Sequence, residues 1–102
     1  MAFTKVATVQ EVPDGKAKQA TVNGRKIAVF NVGGVFYAID DTCPHRGGPL
    51  SEGELLGNEV VCPWHAARFD LTSGVHLSPP ARNDVACYKT QVVGDEVQVD
   101  VP

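Results

Sequence analysis

Cys43-Pro44-His45 and Cys62-Pro63-Trp64-His65 set a sulfur and an imidazole side by side twice within a chain of 102 residues. Cys43 and His45 are two positions apart, so extended backbone points both side chains the same way. Cys62 and His65 are three apart, which suits a tight turn. Each segment thus offers one sulfur and one nitrogen toward a common point, and four soft or borderline ligands from two loops imply a metal. A single tetrahedral zinc is one centre that fits, as a structural staple. A two-iron, two-sulfide cluster is another, with both cysteines on one iron and both histidines on the other. The Cys-x-His pair is tighter than the spacing usual for zinc, which weighs toward iron.

The rest of the chain reads as a β-scaffold around that insertion. Turn signals recur at Asn23-Gly24, Gly33-Gly34, Ser73-Gly74 and Gly94-Asp95, with short β-branched and aromatic runs between them. RKIAVFNV and VFYAI flank Gly33-Gly34 and predict a hairpin. EVQVDV alternates strictly, putting Val97, Val99 and Val101 on one face, and pairs with YKTQVV across the Gly94 turn. No window shows a helical period. The expected fold is an all-β sandwich or barrel forming one domain over 1–102. The stretch from about 41 to 80 departs from this pattern. Its density of proline and glycine suits shaped loops, with NEVVCP and ARFDL forming a hairpin that carries the second pair.

Composition narrows the function. A formal net charge of −3 argues against nucleic-acid binding, which needs a basic face. No apolar run is long enough to span a membrane, and the N-terminus lacks the apolar core of a secretory signal. A cytoplasmic setting with reduced thiols follows as the expectation.

CPHRGGPLSEG followed by CPWHAARFDLTSG resembles the two cluster loops of the Rieske iron–sulfur family, and the flanking strands fit that family as well. The resemblance implies one [2Fe-2S] cluster, with Cys43 and Cys62 on the inner iron and His45 and His65 on the outer. It also likens Ser78–Pro80 to the family's third, proline-bearing loop over the cluster. Soluble members often carry glycine after the second histidine; Ala66 stands there in this chain. Two ferric ions and two sulfides sum to about +2, so two thiolates and two neutral imidazoles bring the centre to about 0. A neutral centre accepts an electron more readily than the anion that four thiolates would make.

High-potential members of the family resemble Cys-Thr-His-Leu-Gly-Cys and Cys-Pro-Cys-His-Gly-Ser-x-Tyr. Their extra cysteines form a disulfide, and their Ser and Tyr hydroxyls donate to cluster sulfurs. In this chain the matching positions are Gly48, Trp64, Ala67 and Phe69. The lost donors place the expected potential toward the low end of the Rieske range of roughly −150 to +300 mV.

Other residues receive plainer readings. Trp64 is expected to pack between loop and scaffold, and shielding of the cluster would follow from that packing. Cys87 shares a face with Lys89 and Gln91 and completes no site; His76 is a surface residue of a polar loop. Arg46 suits a carbonyl or a partner, and Glu52 and Glu54 an acidic rim. Gly47, Gly48 and Gly53 are expected to serve tight turns. No nucleophile–base pair or open metal site is visible, so no catalytic residue is assigned. The chain is expected to carry single electrons from a flavoprotein reductase to a terminal oxygenase, an aromatic-ring hydroxylating dioxygenase by resemblance. The alternatives are a small subunit of a larger reductase, such as nitrite reductase, and a zinc-stapled interaction module.

Overall fold

The computed structural model describes residues 3–43, 48–64, 67–77 and 84–101. Among the described residues nine strands run in chain order: β1 (Phe3–Thr8), β2 (Ala17–Val22), β3 (Arg25–Val32), β4 (Val35–Asp40), β5 (Glu54–Leu56), β6 (Glu59–Val61), β7 (Arg68–Asp70), β8 (Cys87–Val93) and β9 (Glu96–Asp100). A 3-10 turn at Leu50–Glu52 is the only helical element among the described residues. Six strands form one antiparallel sheet in the order β1-β9-β8-β4-β3-β2, and β5-β6-β7 form a second. The edge strands β1 and β2 approach each other, so the larger sheet curls toward a barrel.

The turns predicted from sequence close three of its hairpins. Asn23 and Gly24 have φ of 53° and 79°, the left-handed pair that a two-residue turn between β2 and β3 requires. Gly33-Gly34 joins β3 to β4 with Val32 opposite Val35, and Gly94-Asp95 joins β8 to β9 with Val93 opposite Glu96. NEVVCP and ARFDL pair as expected, with Val60 opposite Phe69 and Val61 opposite Arg68. The sequence reading did not separate β1, β2 or β5. Each is short or carries mixed polar residues, and packing rather than alternation keeps it extended.

Two apolar cores lie on opposite faces of β3 and β4. Ile27, Val29, Phe36, Ala38, Val97, Val99 and Val101 fill the inside of the curled sheet. Ala28, Phe30 and Ile39 face outward, where Leu50, Val60, Phe69 and Leu71 cover them. Burial on both faces explains why RKIAVFNV reads as a nearly continuous apolar run rather than an alternating one. The second core also contains Cys43 and Cys62, at 1% and 2% exposure. The smaller sheet therefore does two things. It seals the outer face of β3–β4, and it carries the second Cys/His segment over that core.

Candidate metal centre

Both Cys segments are hairpin ends closed in the same way. The Cys43 N–H donates to the Gly48 carbonyl at 2.9 Å, and the Cys62 N–H donates to the Ala67 carbonyl at 2.7 Å. Each bond spans five residues and forms the last rung before a loop. Below the first rung Thr42 bridges Pro49; below the second Val61 pairs with Arg68. His45 and His65 fall within these two loops and lie outside the described residues, as do Arg46, Gly47, Ala66 and Ser78–Pro80.

Asp41 anchors the first loop, a role the sequence reading missed. Its side chain is 1% exposed and accepts the Ser51 N–H at 2.7 Å and the amide of Gln19. Its backbone carbonyl accepts the Leu50 N–H at 2.6 Å. The 3-10 turn is thereby fastened to the end of β4, and the loop between them has both feet fixed. The only sequence signal was a carboxylate directly after a buried strand, which by itself suggests only a strand end.

Gly48 and Gly53 stand at turns, as expected: the Gly48 carbonyl closes the first loop, and the Gly53 N–H donates to the Leu50 carbonyl at 3.0 Å. Both also make close approaches of their own, which the expectation set aside. Gly53 has a φ of −76°, so its backbone alone does not demand glycine. A Cβ on Gly53 would strike the Val61 carbonyl. A Cβ on Gly48 would lie 2.9 Å from Cys62 Sγ, closer than a real Cβ comes. The first loop is thus seated against the second, and the second thiol lies at the seam.

Trp64 does not pack between loop and scaffold. The residue is 57% exposed, and its ring lies against Gly48 of the other loop. Glu52 and Glu54 are exposed, as an acidic rim requires.

Cys87 and His76 stand apart from the seam. Cys87 is exposed on the face of β8 with Lys89 and Gln91, as alternation predicts. Its sulfur points to the Leu71 and Thr72 carbonyls at 3.8 and 3.5 Å. Desolvation, then the Asp70 charge, pushes its thiol pKa up. His76 is better held than a bare surface histidine. Its N–H donates to Asp84 Oδ1 at 3.0 Å, and its ring Nδ1 lies 2.5 Å from the same oxygen. The backbone contact and then the ring contact hold the Asp84 carboxyl below the usual aspartate range.

Comparison with known proteins agrees with this geometry. Residues 2–89 match the family described as the Rieske [2Fe-2S] domain. The biphenyl dioxygenase ferredoxin subunit of Pseudomonas sp. (strain KKS102) is 41% identical over 101 residues, covering 98% of this chain and 93% of that protein. The ferredoxin of carbazole 1,9a-dioxygenase from Nocardioides aromaticivorans IC177 superposes with a TM-score of 0.92 at 30% identity, over 97% of each chain. A chain from the complex of reduced oxygenase and oxidized ferredoxin in carbazole 1,9a-dioxygenase superposes at 0.88 with 33% identity, over 95% of this chain and 91% of that one. A structure named as an NADH-dependent nitrite reductase small subunit from Mycobacterium tuberculosis shares the fold at 0.87 with 22% identity, over 96% of this chain and 93% of that one.

The described donors fit the family's cofactor. Two buried cysteines arrive on matched loop ends, and the glycine at the seam leaves room for the Cys62 sulfur. This chain belongs to the Rieske [2Fe-2S] domain family.

Proposed function

We propose that the chain is a one-electron carrier in which Cys43 and Cys62 hold one iron of a [2Fe-2S] cluster and His45 and His65 hold the other. The two matched rungs, Cys43 to Gly48 and Cys62 to Ala67, are the observation that carries this assignment. Two thiols on loop ends closed in the same way, each followed in sequence by a histidine, support one shared centre. When bound, the cluster supplies a centre that accepts and releases a single electron.

The protein's own residues set the conditions for that transfer. Asp41 and the Leu50–Glu52 turn fix the first loop, so little reorganisation accompanies the change of charge. Phe30, Val60 and Phe69 keep water from the thiol side of the site. Neither device acts on an organic substrate, which matches relatives named as ferredoxin components rather than as oxygenases.

The electron donor in this reading is a flavoprotein reductase, and the acceptor is the terminal oxygenase of an aromatic-ring dioxygenase system. Identity of 41% to a biphenyl dioxygenase ferredoxin subunit and 42% to a 3-phenylpropionate/cinnamic acid dioxygenase ferredoxin subunit supports that assignment. Likeness to nitrite reductase small subunits, at 19% and 22% identity, extends to the fold alone. The domain spans 1–102 and works in the cytoplasm; no helix among the described residues is long and apolar enough to cross a membrane.

Iron and acid-labile sulfide analysis tests the site, together with the electron paramagnetic resonance spectrum of the reduced protein. Iron and sulfide near two each per chain, with a signal of mixed nitrogen and sulfur ligation, are expected. Stoichiometric zinc without sulfide would refute the reading.

A further inference from the structure

Gly48 and Trp64 belong to different loops, yet they meet. The position a Cβ would take on Gly48 lies 3.1 Å from Cγ and 3.2 Å from Cδ2 of the Trp64 ring. The same position lies 2.9 Å from Cys62 Sγ. Gly48 is buried and Cys62 is 2% exposed, although Trp64 is 57% exposed. An indole that is open to solvent while the glycine and the sulfur beside it are buried acts as a cover. The ring is largely open to water, while its Cγ and Cδ2 lie against Gly48 at the seam.

The glycine is required for this by space. A side chain at 48 would have to displace either the ring or the sulfur. Covering the seam also has an electronic consequence. Water at a cluster-bound sulfur donates hydrogen bonds that favour the reduced, more negative state, so excluding water holds the potential down.

We propose that Trp64 is a positioning residue that clasps the Cys62 loop onto the Cys43 loop through Gly48 and keeps water from the Cys62 sulfur. This rests on the reading of Cys62 as a cluster ligand. The ring does so without a covalent tie between the loops, so its grip depends on ring size and on the absence of a Cβ at 48.

The test compares the cluster-loaded wild type with Trp64→Phe, Trp64→Leu, Trp64→Ala and Gly48→Ala. Redox titration gives the potential, and pulsed electron paramagnetic resonance in deuterated buffer gives water access to the reduced cluster. Both the potential and the deuterium modulation should rise in the order Trp, Phe, Leu, Ala, with Trp64→Phe keeping most of the wild-type behaviour. Gly48→Ala should resemble Trp64→Ala while far-ultraviolet circular dichroism stays that of the wild type. A series flat in both readouts, or a potential that falls as the ring shrinks, overturns the clasp. If Trp64→Ala does not retain cluster, the Phe and Leu variants decide the same question. A wild type without iron and sulfide would refute the electron-carrier reading instead, so the two failures are distinguishable.

Discussion

Asp41 accepts the Ser51 N–H at 2.7 Å through a carboxylate that is 1% exposed, only two residues before Cys43. The contact fastens the turn that follows the first loop to the strand that precedes it. Asp41→Ala removes the acceptor from Ser51 and from Gln19. A buried donor left unpaired costs about 1–3 kcal/mol, and water can reach Gln19, so a loss of about 2 kcal/mol is expected. For a domain of this size that lowers the melting temperature by roughly 8–16 °C. Asp41→Asn keeps one carbonyl oxygen for Ser51 and should lose less. Thermal unfolding of the loaded protein checks the order; an Asp41→Ala variant melting with the wild type would show that the anchor is idle.

The seam should tolerate no loss of a ligand, whereas the third cysteine should be dispensable. His45→Ala and Cys62→Ala are expected to abolish the assembled cluster, read from visible absorbance and iron content. Cys87→Ser should leave both unchanged, since the Cys87 sulfur faces the Leu71 and Thr72 carbonyls. Its raised thiol pKa also predicts slow alkylation near neutral pH, because the thiolate is the reactive form. Cluster loss in Cys87→Ser equal to that in Cys62→Ala would mean the ligands are misassigned.

The His76–Asp84 contact predicts a specific pH behaviour. Asp84 is held below the ordinary aspartate pKa, first by the His76 backbone N–H and then by its ring. A carboxylate depressed in the folded state contributes stability that is present above its unfolded pKa and lost as pH falls through the folded value. The contact should therefore hold through neutral pH and weaken only in acid below the ordinary aspartate range. His76→Ala retains the backbone N–H, so Asp84 should stay depressed, though less than in the wild type. Carboxyl-carbon NMR titration of Asp84 in both proteins measures this. A full return to the ordinary value in His76→Ala would make the ring, not the backbone, the main cause.

Much of this was legible in the sequence because it rests on local chemistry. Asn23-Gly24 and Gly33-Gly34 dictate hairpins through their backbone preferences, and Val97, Val99 and Val101 declare a buried face by alternation. The Cys/His spacing announced two loops that meet. What stayed hidden depends on contacts between distant segments. Asp41 looks like any strand-end carboxylate until Ser51 and Gln19 are brought to it. Gly48 looks like a turn glycine until Trp64 and Cys62 are placed against it. By the resemblance to high-potential members, positions 48 and 64 correspond to their extra cysteines, so an aromatic contact would stand where they carry a disulfide. β1 and β2 lack a strict apolar alternation and are held by their neighbours β9 and β3.

The missing hydroxyls give the sharpest test of why this chain should have a low potential. Ala67 and Phe69 stand where high-potential relatives carry serine and tyrosine. Both are 0% exposed and belong to the same core cluster as Cys43 and Cys62, and the Ala67 carbonyl already accepts the Cys62 N–H at 2.7 Å. A hydroxyl added at either position therefore enters the interior that holds both thiols, not the solvent. Donated to a sulfur, it favours the reduced state, because that state carries more negative charge there. A differential of roughly 1–3 kcal/mol between redox states is the scale for hydrogen bonds to charged groups. For a one-electron couple this is a rise of roughly 40–130 mV, at about 59 mV per tenfold change. Ala67→Ser is the gentler change, adding one small group beside an existing rung. Phe69→Tyr places its hydroxyl in a filled apolar core, where failure to reach a sulfur costs stability instead. Redox titration of each single variant and of the pair, alongside their melting temperatures, separates the two effects. A cluster that assembles in the double variant with an unchanged or lowered potential would remove absent hydroxyl donors as the reason for a low potential.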